Sequence, residues 1–380
     1  MRILVHYNGT YSETAGVSRV VLGLGKALEK HVEIDYVFGY DAPKGMYSYL
    51  NSLKGPFHFL RHTPITAILF AIFIRNKDYD IIHSHTPEGA FDAVLARFLL
   101  RKKYKVLVHL HGLDKAVRQE WKKELALKRA NHGFANLYLL ASVFKAYFAM
   151  KMADAFVSVS RTVAQEAQKF YNVQPKILPN AVNCAELKKI EKAKARKELG
   201  LAEKDFVVLF VGNASWIKGL HYLVEALKEI EQAKLLIVGL AENNEPWIKN
   251  ALGNRVHFSG YLDRKELSKY YSAADVLCVP SLYEAFGLVY AEAQCFGLPC
   301  IASKGTGAEE TIKHGKNGFL VEKRNVAQIK AALQKLQNSE LRRKMAQKAL
   351  ENAKGFSWAV QAKQILRIFA DLVNVNCFWN

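Results

Sequence analysis

The sequence predicts an α/β chain of two Rossmann-like parallel-sheet domains facing a central cleft, and three observations predict it. Short β-branched runs alternate with amphipathic stretches along nearly the whole chain, the pattern that right-handed βαβ crossovers require. The alternation breaks near residues 180–205 and then restarts. The 380 residues are too many for one compact core and suit two domains.

In chain order, Arg2–Tyr7, Ile34–Phe38, Ile81–His83, Val106–His109 and Ala155–Ser158 read as buried strands, with an amphipathic helix at Val17–Glu29 between the first two. The Lys/Glu/Ala-rich stretch Glu186–Leu199 after Pro179-Asn180 reads as an exposed helix. Strands resume at Phe206–Val211, Leu235–Val238, Val256–Phe258, Val276–Val279, Pro299–Ala302 and Phe319–Val321. Phe356–Val375 reads as an amphipathic helix with Trp358, Ile365, Leu366, Phe369 and Leu372 on its apolar face. The expected domains are residues 1–182 and 183–363, with the final helix, about 364–380, packing back on the first. Ligands of such sheets bind beyond the carboxyl ends of the strands.

Composition is ordinary for a globular protein, 50% hydrophobic and 23% charged, and excludes disordered, collagen-like and coiled-coil classes. The charge is not ordinary. Lys and Arg number 54 against 35 Asp and Glu, a net of +19, and between Arg97 and Arg129 eleven basic residues face three acidic ones. Such a surplus implies an anionic partner: nucleic acid, a phosphate-bearing substrate or an acidic membrane. Five cysteines (184, 278, 295, 300 and 377) form no C-x-x-C pair and read as buried thiols in a reducing cytosol. MRILVHYNG opens directly on a strand without a signal-peptide pattern. The apolar stretch Ile65–Ile74 is too short to span a bilayer, and Phe134–Met152 is interrupted by Asn136, Lys145 and Lys151. These features imply a soluble or peripheral, cytoplasmic chain.

Chemistry-bearing residues gather at strand ends. Gly16 opens a helix after the first strand and suits either a turn or an anion. His83/His85 and His109/His111 each place two imidazoles on one face of a strand end. No third ligand stands at helpful spacing, so loop hydrogen bonding is the expectation and no metal is expected. His111, before Gly112, is the better candidate for touching a substrate. In the second half, the loop Gly212-Asn213-Ala214-Ser215-Trp216-Ile217-Lys218-Gly219 lies between a strand and a helix, a credible phosphate cradle. Phe286-Gly287-Leu288 starts another helix, leaving Glu284 on the loop and Glu292 inside an otherwise apolar helix. A buried carboxylate there needs hydrogen-bond donors, and a ribose diol supplies them.

Glu284-x7-Glu292 with Phe-Gly-Leu between resembles the signature of retaining nucleotide-sugar glycosyltransferases of family four, which have the two-Rossmann GT-B fold. The resemblance extends over nearly the whole chain: the Gly16 helix opening, Asp80-Ile-Ile-His-Ser-His85, His111-Gly112, Pro179-Asn180 and Gly212…Lys218-Gly219. It continues through Gly260-Tyr261, Ala274-Asp275…Pro280-Ser281, Gly297-x-Pro299, Gly307-x-x-Glu310 and Gly315-x-Asn317-Gly318.

The resemblance implies a hexosyltransferase whose donor binds the C-terminal domain. Lys218 would grip the diphosphate and Glu292 the ribose hydroxyls, with Tyr261 and Leu262 against the base. Glu284 and the backbone of Phe286, Gly287, Leu288 and Val289 would hold the sugar and distal phosphate. Gly16 would meet the phosphate, and His111 would contact the sugar near the reaction centre. Front-face transfer needs stabilisation of the leaving diphosphate rather than a protein nucleophile or a metal, so no cofactor is expected and His111, Glu284 and Lys218 form the catalytic set. One departure stands out: Asn213 occupies the position of the usual phosphate-loop arginine and cannot make its bidentate charged clamp, leaving Ser215 or a nearby base to compensate. Ala15 and Glu309 replace a commoner glycine and proline.

The acceptor implied by a basic, partly apolar N-terminal half is a lipid-linked or cell-envelope glycan at an anionic membrane. A soluble sugar or sugar phosphate is the alternative. A nucleic-acid-binding α/β protein would explain the charge, but no nucleic-acid motif is present and Glu292 would be unexplained; no nucleic-acid partner is expected. An epimerase or phosphorylase on the same scaffold would need other signatures.

Overall fold

A computed structural model describes residues 1–10, 16–40, 42, 46–50, 63–126, 136–213, 216–240 and 245–374. The chain divides into two compact units, Met1–Ala181 with Trp358–Asn380, and Val182–Ser357.

Unit 1 is a seven-stranded sheet of β1 (Arg2–Thr10), β2 (Glu33–Tyr40), β3 (Tyr47–Ser48), β4 (Ile81–Ser84), β5 (Lys105–Leu110), β6 (Ala155–Ser158) and β7 (Lys176–Ile177). Its order is β3-β2-β1-β4-β5-β6-β7 and every neighbouring pair is parallel. The helices between strands are α1 (Gly16–Leu28), α2 (Ile65–Ile74), α3 (Pro87–Leu99), α4 (Asp114–Ala126), α5 (Asn136–Met152) and α6 (Arg161–Tyr171). Their starts are written locally. Thr86 caps α3 by accepting from the Gly89 N–H, with Pro87 in the first turn, and Ser160 caps α6 through Val163. Ile3, Val5, Leu24, Phe38 and Leu107 pack with Ile365, Leu366 and Phe369 of the last helix, α14 (Trp358–Val373). That packing is what returns the chain's end to unit 1.

Unit 2 is a six-stranded, all-parallel sheet of β8 (Phe206–Val211), β9 (Ala233–Val238), β10 (Val256–Phe258), β11 (Val276–Val279), β12 (Cys300–Ser303) and β13 (Gly318–Val321). The order β10-β9-β8-β11-β12-β13 reverses between β8 and β11, the switch point at which open α/β sheets bind ligands. Helices α7 (Lys192–Glu198), α8 (Leu220–Lys228), α9 (Pro246–Leu252), α10 (Arg264–Ala273), α11 (Leu288–Cys295), α12 (Val326–Leu336) and α13 (Ser339–Ala353) complete it. β8, β11 and β12 are buried along their whole length, as central parallel strands require.

Three expectations are corrected. The helix expected at Glu186–Leu199 is reduced to Lys192–Glu198, and it is not an exposed one throughout: Ala195 and Arg196 are buried. The Arg196 guanidinium donates to Asp275 at 2.7 Å, and Asp275 also accepts from the Val207 N–H at 2.8 Å. A Lys/Glu/Ala composition reads as solvated because it carries no sign of a partner eighty residues away. The cysteines are not all free thiols. Cys184 and Cys295 form a disulfide across 111 residues, while Cys278 and Cys300 are buried thiols whose pKa burial pushes up. The bond removes the ground for reading a reducing compartment from the cysteines; Cys377 lies outside the described residues. Finally, the basic cluster is partly structural. Arg97 pairs with Asp154, Lys102 with Asp78 and Lys123 with Glu120; Lys128 and Arg129 lie outside the described residues.

Among the described residues no helix is long and apolar enough to cross a membrane. Helices α2 and α5 nonetheless show apolar residues outward. Ile65, Ile68 and Ile72 are exposed along one side of α2, and Phe144 and Tyr147 along α5. Inward, Lys145 donates to Thr66 at 2.6 Å and to Asp92 at 3.3 Å, and Asp92 also accepts from Tyr49 at 2.8 Å. Lys145 and Asp92 are 2% and 0% exposed. This buried pair ties α2, α3 and α5 together, with charge inside and hydrocarbon outside.

Candidate functional site

The switch point of unit 2 gathers the expected donor-side residues. β8 ends at Val211; the chain passes Gly212 and the exposed Asn213, then a short turn at Trp216–Lys218, and Gly219 caps α8. Ala214 and Ser215 lie outside the described residues. Gly219 has φ +68°, and a Cβ there would stand 2.1 Å from the Pro280 carbonyl oxygen. Only glycine lets this loop press against the end of β11. The close approach brings the Lys218 ammonium to Glu284, to which it donates at 2.8 Å, with Ser281 Oγ at 3.5 Å from the same carboxylate oxygen. The Lys218 and Glu284 side chains are 26% and 12% exposed, so the pair is partly desolvated yet open to an incoming ligand.

Gly287 precedes α11 with φ +82°, and a Cβ there would fall 2.3 Å from the Tyr290 ring. Tyr290 is in turn held by its hydroxyl donating to the Val279 carbonyl at 2.7 Å. The first turn of such a helix offers backbone N–H groups that lack intrahelical acceptors. Phe286 supports the turn from beneath, 2% exposed and edge-on to Phe356 with ring centroids 5.8 Å apart. Leu288 and Val289 are half-buried.

Glu292 lies inside α11 at 1% exposure. The Tyr271 hydroxyl donates to it at 3.1 Å, and the Arg264 guanidinium stands 3.9 Å away. Arg264 also pairs with Glu186, and its buried Nε finds no hydrogen-bond partner among the described residues. Tyr261 is 83% exposed, while Leu262 packs on the unit 2 core. Sequence reading missed Arg264 and Tyr271. Nothing in their spacing marks them, since α10 reaches Glu292 of α11 only once the unit is folded.

In unit 1, Gly16 is the exposed first residue of α1. The two histidine pairs come together, and they bond each other rather than loops. His85 Nδ1 and His111 Nε2 share a hydrogen bond at 2.9 Å, and His83 Nε2 and His109 Nδ1 one at 3.3 Å. Burial pushes His83 and His111 down to about 3, and His85 and His109 also well below the ordinary range. All four imidazoles are neutral at pH 7.

Two family models match the chain, Glycosyltransferase Family 4 over residues 14–186 and Glycosyl transferases group 1 over residues 191–355. An uncharacterised glycosyltransferase of Methanocaldococcus jannaschii is 28% identical over 267 residues, covering 65% of this chain and 63% of the relative. A D-inositol 3-phosphate glycosyltransferase of Acidothermus cellulolyticus is 30% identical over 239 residues, 58% of this chain and 53% of its own length. The chain thus spans between half and two thirds of these relatives. Among solved structures, sucrose-phosphate synthase from Thermosynechococcus elongatus matches 98% of this chain and 100% of its own, with TM-score 0.81 and 23% identity. Anabaena HepE in complex with UDP and glucose matches 97% and 99%, with TM-score 0.74 and 21% identity. At these identities the structural matches establish the shared fold.

Proposed function

Because the chain belongs to the family 4, group 1 glycosyltransferases and has their GT-B pair of Rossmann-like units, we propose that it is a retaining, metal-independent hexosyltransferase. It takes a sugar from a nucleotide-diphosphate sugar to a hydroxyl of a lipid-linked or envelope glycan. The observation that carries this is the set of groups around the start of α11: Lys218 on Glu284, then Glu292 buried one turn inside the helix.

In the proposed reaction Lys218 exchanges Glu284 for the donor diphosphate, and its positive charge stabilises the negative charge that grows on the leaving group. Glu284, released from Lys218, accepts from the sugar hydroxyls. Glu292 accepts from the ribose hydroxyls, with Tyr261 and Leu262 beside the base and the backbone of Phe286–Val289 on the distal phosphate and sugar. Arg264, beside Glu292 with an unused donor, supplies positive charge that Asn213 does not. Gly16 and His111 are unit 1's contribution, His111 as a neutral imidazole toward the sugar. No cofactor is assigned.

The acceptor reading rests on unit 1. Exposed Ile68, Ile72, Phe144 and Tyr147, together with a basic surplus, suit peripheral docking on the cytoplasmic face of an anionic membrane. The test is a panel of UDP-, GDP- and ADP-sugars, scored for nucleoside diphosphate release with and without membrane extract. Release with at least one donor is expected, stimulated by extract. Glu292→Ala and Lys218→Ala should each weaken donor binding by roughly 10- to 100-fold. Absence of release and of binding across the panel would refute the enzyme, and unchanged binding in both variants would refute the site.

A further inference from the structure

We propose that His83, His85 and His109 of unit 1 bind a late first-row transition-metal ion, zinc in the first instance. This ion takes no part in the sugar-transfer chemistry proposed above, although His85 bonds His111, the residue that reading turns toward the sugar.

Neither strand alone could form it. Alternation along a strand puts His83 and His85 on one face of the β4 end, and His109 and His111 on one face of the β5 end. Parallel pairing of β4 with β5, in the register His83↔Leu107 and Ser84↔Val108, then sets the two pairs against each other. The third imidazole missing from each sequence motif is supplied by the neighbouring strand. One ring nitrogen from each of the three residues lies within 4.8 Å of the other two.

The distances are close to those of a coordination shell. A tetrahedral ion with nitrogen ligands at about 2.1 Å has ligand–ligand edges of about 3.4 Å. His83 Nε2 and His109 Nδ1 are 3.3 Å apart, so one edge is already in place. The remaining edges close with shifts on the order of 1 Å, within reach of imidazole rotation. All three residues are at most 1% exposed, on the rigid ends of central strands.

The rings bond one another through His83 Nε2 and His109 Nδ1, while His83 Nδ1 and His109 Nε2, the opposite ring nitrogens, find no hydrogen-bond partner among the described residues. The chemistry of the ligands sets the class of ion. Three imidazoles with no carboxylate or thiolate suit zinc, nickel, cobalt or copper and not magnesium or calcium. His111, bonded to His85 at 2.9 Å, is kept for the sugar contact proposed above and is not counted among the ligands.

The experiment uses the full chain, stripped with chelator and titrated separately with Zn²⁺, Ni²⁺ and Co²⁺, with bound metal counted after dialysis. We expect one equivalent of Zn²⁺ with a Kd on the order of 1 μM or tighter, and visible Co²⁺ absorption of four-coordinate strength. His83→Gln and His109→Gln should each weaken binding ~10-fold or more, while His257→Gln, on the surface of unit 2, should leave it unchanged. Absence of stoichiometric binding by the unaltered chain would overturn the proposal, whether or not the variants fold. Equal one-to-one binding by both histidine variants would overturn it too. Nucleotide-sugar binding, measured with and without the ion, should not change, so this outcome and that of the donor panel are read independently.

Discussion

The two units share an architecture and differ in how much hydrocarbon they expose. Unit 2 follows the ordinary plan. Its central strands are apolar throughout, its buried Asp275 is met by the three cations Lys192, Arg196 and Arg342, and a disulfide spans 111 residues of it. Unit 1, among the described residues, buries the Lys145–Asp92 pair, Glu120, Glu124 and the imidazoles of His6, His83, His85 and His109, while some of its large apolar side chains face outward. Among the described residues, twelve of the fifteen exposed large apolar side chains belong to unit 1 and three to unit 2. The contrast lies at the surface: both units bury charged groups, Lys145 and Asp92 in unit 1 and Arg196, Asp275 and Glu292 in unit 2, but the exposed large apolar side chains concentrate on unit 1.

The largest expected effect comes from breaking unit 1's internal pair. Asp92→Ala leaves the Lys145 ammonium buried without its carboxylate, at a cost of about 3–5 kcal/mol. Chemical denaturation should show that loss, and hydrogen exchange should place it in α2, α3 and α5. A loss below ~1 kcal/mol would mean that Lys145 reaches water and that unit 1's polar interior is less closed than its burial implies.

Unit 2 should respond to a different insult. Replacing Cys184 and Cys295 together by serine, or adding reductant, frees a long loop in the unfolded chain and should cost about 2–4 kcal/mol. Exchange protection should fall in unit 2 and hold in unit 1. Equal loosening of both would erase the distinction.

Acid should select unit 1. The folded pKa of His6, His83 and His111 lies near 3, each lowered first by burial, against about 6.5 in the unfolded chain. The unfolded state therefore binds more protons between those values, and stability is lost as pH falls through that window. In the metal-free chain each such histidine contributes a slope of up to about 1.4 kcal/mol per pH unit. Thermal melting between pH 7 and 5 should fall first in unit 1. A flat profile would show that water reaches these rings.

The smallest effect concerns the surface. Phe144→Ser and Ile68→Ser should each change folding stability by no more than about 0.5 kcal/mol but lower sedimentation with anionic vesicles roughly threefold to tenfold. Sedimentation indifferent to these changes, to salt and to acidic lipid would assign the apolar stripes to something other than a membrane.

Much of this was legible in the residues. Phe206–Val211 and Val276–Val279 are short unbroken apolar runs, and the strands occupy those spans. Gly287 before Leu288 announced a helix start, so Glu284 was left on the loop and Glu292 inside, where α11 has them. Arg264 and Tyr271 were not legible, because their neighbour Glu292 is twenty or more residues away and is met only across packed helices. The same reason hid the Arg196–Asp275 contact, which turned an apparently solvated helix into a buried brace, and the Cys184–Cys295 bond.

Sequence alone determined the apolar runs of eleven strands, the glycines at Gly219 and Gly287 that permit tight approach, and the order of motifs that mark the family. All of these are local, written within a few residues by sterics and hydrophobic alternation. Only the tertiary structure decided which local pieces became neighbours. Strand order placed the Lys218 loop against Glu284, and parallel register turned two separate histidine pairs into one buried cluster. Packing on α3 turned Lys145 inward while Phe144 stayed outside. Each of these depends on contacts between residues far apart in the chain, whose pairing no local pattern encodes.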